Sequence, residues 1–143
     1  MITSENGVKL IKSSEGLKLN AYQCSAGKWT IGYGHTSGVK AGDKITKEQA
    51  EEFFKEDLRS VEYCIQTEVE RELNQNQHDA LASFIFNIGS FKFRHSTLLR
   101  QLNYGNFERA AEQFDRWVYV KGKKNQGLIN RRKAEKELFL KKV

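Results

Sequence analysis

The sequence of 143 residues contains no proline, one methionine and only two cysteines. With no proline, no repeat and no low-complexity stretch, nothing marks an interdomain linker, and residues 1–143 read as a single domain. That length suits a core of useful size. Cys24 and Cys64 stand far apart and match no metal-ligand spacing. In a reducing compartment they read as two separate thiols, and Cys64, after Tyr63, as a small buried hydrophobe. Long apolar runs are missing as well. Glu5, Lys9 and Lys12 interrupt the apolar residues that follow Ile2, so neither a signal peptide nor a membrane span is expected. Synthesis and residence in the cytoplasm follow as the expectation.

What is present describes a globular chain, 38% hydrophobic and 29% charged. The net charge of +6 is unevenly spread. Residues 1–115 carry 14 Lys/Arg against 16 Asp/Glu, whereas residues 116–143 carry 10 against 2. The basic end favours polyanions, whether nucleic acid, wall polymer or an anionic membrane surface, and charge alone does not choose among them.

Residues 4–14 predict a short helix, capped by Ser4 or Asn6, with Val8 and Ile11 inward and a stop near Gly16. Six of the 11 glycines fall from Gly16 to Gly42, the mark of a turn-rich β region. Within it Trp29, Ile31 and Tyr33 alternate with Thr30, Gly32 and Gly34, giving a strand whose second face is nearly bare backbone open to a ligand. Thr46 and Gln49 form a capping box for a helix running to about Glu68. Asn74, Ser96 and Asn106 each begin a further helix, and a last one covers Leu128 to Leu140. Trp117, Phe114, Leu138 and Phe139 read as core positions. The fold class is α+β: a small β-containing lobe over about 15–45 and a mainly helical lobe over about 46–143.

Glu15 sits where the first helix gives way to the glycine-rich segment. The negative end of the helix dipole and partial burial both disfavour a charged carboxyl there, which suits a general acid. An ordinary solvated glutamate at a helix end is the plainer reading of the residue alone.

The surrounding pattern gives Glu15 its context. Glu15, eight residues, Cys24, five residues, Thr30 and then Ile31-Gly32-Tyr33-Gly34-His35 is similar to the catalytic signature of the phage-type lysozymes, the endolysins of glycoside hydrolase family twenty-four. Asn74 to Gln77, Phe86 to Gly89, Ser96 to Leu99, Trp117 and Gly127 to Arg132 resemble later segments of the same family, in order and over nearly the full length. The resemblance implies a lysozyme-like fold with a cleft between the lobes. It implies hydrolysis of the β-1,4 bond between N-acetylmuramic acid and N-acetylglucosamine in peptidoglycan, without metal or cofactor. Glu15 would protonate the leaving oxygen, while Cys24 and Thr30 act from the other side of the sugar. Phe86, Asn87, Ser96 and Thr97 would be sugar contacts by the same resemblance, and Arg131 would reach peptide or wall carboxylates.

Each of these residues also has a plainer role. Many members of the family carry Asp where this chain has Cys24, although cysteine is an accepted variant. A thiol is a poor base and a thiolate a good nucleophile, so Cys24 holds a water, attacks the sugar or merely shapes the site. If Ser25-Ala26-Gly27 is a three-residue turn, Cys24 and Thr30 share a face, and a two-residue turn would separate them. Thr30 offers a hydroxyl that can fix a water, yet threonine is also simply a good strand former. His35 either hydrogen-bonds near Glu15, with substrate, or pairs with an acid to hold the lobe together. Phe86 and Ser96 also read as core and cap, and Arg131 and Arg132 as a solvated helix face.

Three functions are open at this level. A phage or prophage endolysin with lysozyme activity would be a monomer reaching the wall from the host cytoplasm through a holin-type lesion, to act in the periplasm. Its basic C-terminal helix could add adsorption to an anionic wall or membrane. A lytic transglycosylase needs only one acidic glutamate and yields 1,6-anhydro ends. A basic binding protein without catalysis has only the tail charge in its favour, and no nucleic-acid fold signature is present.

Overall fold

A computed structural model describes all 143 residues. Helix α1 covers Glu5–Glu15, with the Ser4 hydroxyl accepting from the Gly7 N–H at 3.3 Å as its cap. Strands β1 (Lys18–Gln23) and β2 (Trp29–Gly32) form an antiparallel hairpin. Helix α2 (Lys47–Glu68) follows, opened by the capping box of Thr46 and Gln49, and it ends where the sequence predicts. At about 33 Å it is long enough to run from the hairpin into the helical lobe.

Helix α3 (Gln75–Ile88) is the central rod. Its residues from His78 to Ile85 are all buried, because α1, α2 and the C-terminal helix α7 (Gln126–Leu140) pack around it. Short helices α4 (Ser90–Arg94), α5 (Thr97–Asn103) and α6 (Phe107–Gln113) close the far side. A 3-10 turn at Phe114–Arg116 leads to the small hairpin of β3 (Tyr119–Val120) and β4 (Lys123–Lys124). Phe84 anchors the core, meeting Phe93, Phe114 and Trp117 edge to face with centroids 6.4, 5.2 and 5.7 Å away. Replacing such a fully buried phenylalanine with alanine costs about 3–5 kcal/mol.

Several expectations need correction. The sequence did not predict α4, the 3-10 turn or the β3–β4 hairpin. Helix α7 begins two residues early, where the Asn125 side chain accepts from the Leu128 N–H at 3.0 Å. Asn106 precedes α6 but makes no side-chain cap. The open, ligand-facing surface expected of β2 is instead packed. Thr30 is 3% exposed, and a Cβ on Gly32 would stand 3.5 Å from Ala50 of α2. The two cysteines are free, and Cys64 is core, although its neighbour Tyr63 is exposed.

Candidate active site

Glu15 is the last residue of α1, and Gly16 with φ of 72° stops the helix there. The carboxyl is only 15% exposed. Its Oε2 accepts from Nη1 of Arg131 on α7 at 2.6 Å, across 116 residues of sequence. The other oxygen, Oε1, lies against the backbone of Gly34. A Cβ on Gly34 would overlap that oxygen and stand 2.8 Å from Cδ. The second glycine of the Ile31–His35 stretch thus has a specific reason: its missing side chain makes room for the carboxyl.

Arg131 is therefore not on a solvated helix face. It is 8% exposed and is held from several directions. Its Nη2 donates to the Ser83 carbonyl at 3.1 Å and its Nε to Glu135 at 3.3 Å. Glu135 is fully buried, accepts from the Ser83 hydroxyl at 2.6 Å and pairs with Arg132. Burial pushes the Glu135 carboxyl up against the pull of the two arginines. Arg132 Nε and Glu135 Oε1 stand 2.6 Å apart as an ion pair without hydrogen-bond alignment, and the Arg132 guanidinium also lies 5.0 Å over the Phe84 ring. Nothing beside Glu15 in the sequence announces its bond to Arg131.

Cys24 stands at the end of the β1–β2 turn. Its N–H donates to the Lys28 carbonyl at 2.9 Å, and the Gly27 N–H donates to the Cys24 carbonyl at 2.8 Å. Gly27 takes φ of 84°, so the turn is the three-residue loop Ser25-Ala26-Gly27. With Tyr22 directly across from Thr30, this register puts Tyr22, Cys24 and Thr30 on one face. The Thr30 hydroxyl donates to the Lys28 carbonyl at 2.9 Å. Partial burial alone would raise the Cys24 thiol. Backbone N–H groups, led by those of Lys28 and Ala26, outweigh it and hold the thiol below the usual range.

A groove of about 760 Å³ joins Glu15 and Cys24, while the buried Thr30 is not in its lining. Glu15, Tyr22, Cys24, Asn87, Asn130 and Arg131 are among its walls. Tyr22, which flanks Cys24 within the matched signature, joins the groove although it is not among the expected site residues. Burial and the negative charges of Glu15 and Cys24 push its phenol up. On the far side of the Glu15–Gly34 contact lies a second depression, lined by Gly34, Thr36, Ser37, Phe86 and Ser90.

The remaining predicted contacts separate. Asn87 is exposed in the main groove, and Phe86 faces the second depression while packing 5.5 Å from Phe54. Ser96 is not available to a sugar. It is 3% exposed and spent as the cap of α5, accepting from Leu99 N–H and donating to the Phe93 carbonyl. Thr97 accepts from Arg100 at 3.0 Å and lines neither depression. His35 is also outside them. Its Nδ1 lies 2.8 Å from Asp57, and its ring stacks on Phe53 at 4.2 Å, tying the β region to α2. The motif that includes His35 thus mixes residues of the groove with one that joins the lobes.

Comparison with known proteins fits this geometry. The family model for phage lysozyme matches residues 12–135. The chain belongs to the phage lysozyme family. It is 50% identical to the endolysin of Acyrthosiphon pisum secondary endosymbiont phage 1, over 97% of this chain and 98% of that one. Among solved structures it is similar to the muramidase domain of SpmX from Asticaccaulis excentricus, with a TM-score of 0.86 and 42% identity over 97% of both chains. It is likewise similar to a mutant of P22 lysozyme, with a TM-score of 0.80 and 46% identity over 99% of both. The α+β fold is lysozyme-like, and membership in this family makes the chain a lysozyme-class hydrolase of peptidoglycan.

Proposed function

We propose that the chain cleaves the β-1,4 bond between N-acetylmuramic acid and N-acetylglucosamine, with Glu15 as general acid. The observation that supports this reading is that Glu15 and Cys24, from α1 and the β1–β2 turn, line one groove. Glycosidases need two such flanking groups. Arg131 engages Oε2 by donating to it, so the proton for the leaving oxygen sits on Oε1, beside the bare backbone of Gly34. Cys24 stands in the groove wall, where its sulfur can hold a water or stabilise the reacting carbon from the other side, with Thr30 buried behind it on the same face and its hydroxyl given to the Lys28 carbonyl. Asn87 and Asn130 supply polar contacts for the sugar chain.

The same reading makes the protein a monomeric agent of host-cell lysis, made in the cytoplasm and reaching the periplasm through a holin-type lesion. No helix is long and apolar enough to cross a membrane. Mass spectrometry of digested Gram-negative peptidoglycan tests the chemistry. Fragments with reducing ends are expected, and 1,6-anhydro ends would reassign the enzyme as a lytic transglycosylase. The anomer of the first product, read by NMR, separates a water held by Cys24 (inversion) from attack by its sulfur (retention).

A further inference from the structure

Much of the charge that helix α7 carries is spent inside the fold. Arg131 and Arg132 of α7 are buried on Glu15 and Glu135, and Lys136 is paired with Asp115 at 2.8 Å. The exposed face of α7 keeps one free cation, Lys133, beside an anion, Glu137. Of the other cations after residue 115, Arg116, Lys141 and Lys142 are exposed near or beyond the ends of the segment, and the β3–β4 hairpin gathers three more within four residues. Lys121, Lys123 and Lys124 are all exposed, and none is paired with an acid.

The hairpin turns through Lys121 and Gly122, with φ of 50° and 79°. Two positive φ values in a two-residue turn favour Asn-Gly, and lysine seldom adopts them. Lys121 is the only residue other than glycine with positive φ in the chain. A strained cation at an exposed tip points to a use for the charge. The hairpin also adjoins the groove through the start of α7, although its own residues are outside the lining. The Asn125 N–H donates to the Val118 carbonyl at 2.8 Å, closing the hairpin base, and the Asn125 side chain caps α7. The first residues of α7 beyond that cap, Gly127, Leu128 and Asn130, line the groove with Glu15 and Cys24.

We propose that the β3–β4 hairpin is an arm of the groove that binds the carboxylate-bearing peptide stems of the strand being cleaved. This inference rests on the glycan-hydrolase reading and names what the groove recognises beyond its sugars. Stems project from the same strand that fills the groove, so their carboxylates arrive beside a hairpin fixed to the groove wall. A lipid surface fits less well. Tyr119, 54% exposed, is the one large exposed apolar side chain on the hairpin, too little for insertion.

The test uses the variant Lys121→Asn, Lys123→Gln and Lys124→Gln, three exposed positions where folding is preserved. Cleavage is compared on intact peptidoglycan and on glycan strands stripped of their peptides. Loss of about fivefold in kcat/KM, carried by KM, is expected on intact peptidoglycan, with little change on stripped strands and a smaller gap at high salt. Equal loss on both substrates, or loss on neither, overturns the stem assignment. Vesicles of phosphatidylglycerol and phosphatidylcholine form the second arm. Binding that the variant loses, without any dependence on stems, would move the hairpin to the membrane. Failure of the wild-type chain to cleave either substrate would instead strike the hydrolase reading itself.

Discussion

Replacing Gly34 with alanine tests whether the backbone beside Glu15 sets the position of its carboxyl. The new Cβ would overlap Oε1 and stand 2.8 Å from Cδ, so the carboxyl must shift by something on the order of an ångström. A displacement of that size at a proton donor lowers kcat about a hundredfold. Gly34 also has φ of 72°, and a left-handed alanine costs about 1–2 kcal/mol, on the order of 5 °C in Tm. Gly38→Ala separates the two effects. Gly38 has φ of 71° with open space around its would-be Cβ, so it carries the same backbone strain without touching the acid. The assay is release of reducing ends from purified peptidoglycan, with thermal unfolding measured on both variants. Both should lose similar stability, and only Gly34→Ala should lose kcat. Activity of Gly34→Ala within twofold of Gly38→Ala would refute the steric argument.

Other outcomes follow from the same contacts. Glu135→Gln strands Arg131 and Arg132 and should cost about 3 kcal/mol, roughly 10 °C in thermal unfolding, with activity falling as Glu15 loses its fixed partner. Cys24 should react with iodoacetamide with a pH midpoint below that of an ordinary thiol, because hydrogen bonds favour its thiolate. Cys64, pushed up by burial, should stay unmodified, as peptide mapping would show. His78 is buried with its Nδ1 unpaired, and burial lowers its pKa despite Asp79 and Glu62 nearby. The unfolded chain therefore binds more protons, and stability should be intact above pH of about 6.5 and fall as pH drops below it. His78→Gln, which keeps a donor for Thr3, should flatten that slope in a Tm-against-pH series.

The parts of this fold that were legible in the sequence are those written locally. Ser4, Thr46, Asn74 and Ser96 each cap the helix that their spacing announces, because a cap needs only a short polar side chain and the N–H three residues on. The strand period around Trp29 and Ile31 placed β2, and the turn length after Cys24 decided its face. What was hidden depends on contacts between distant residues. Nothing near Arg131 announces a carboxylate 116 residues away, so its burial against Glu15 could not be read from a run of basic residues. The β3–β4 hairpin was missed because four paired residues and a Lys-Gly turn carry almost no strand signal. Ser96 shows a limit of transfer by motif, since a match in sequence says nothing about whether a hydroxyl is already spent on a cap.

The most direct test of the central claim is the turnover of Glu15→Gln on purified peptidoglycan beside the wild-type chain, with folding checked by thermal unfolding. The amide can still accept from Arg131 but has no carboxylic proton to give, so a folded variant with essentially no cleavage is predicted. Cleavage at near wild-type rate would contradict the account.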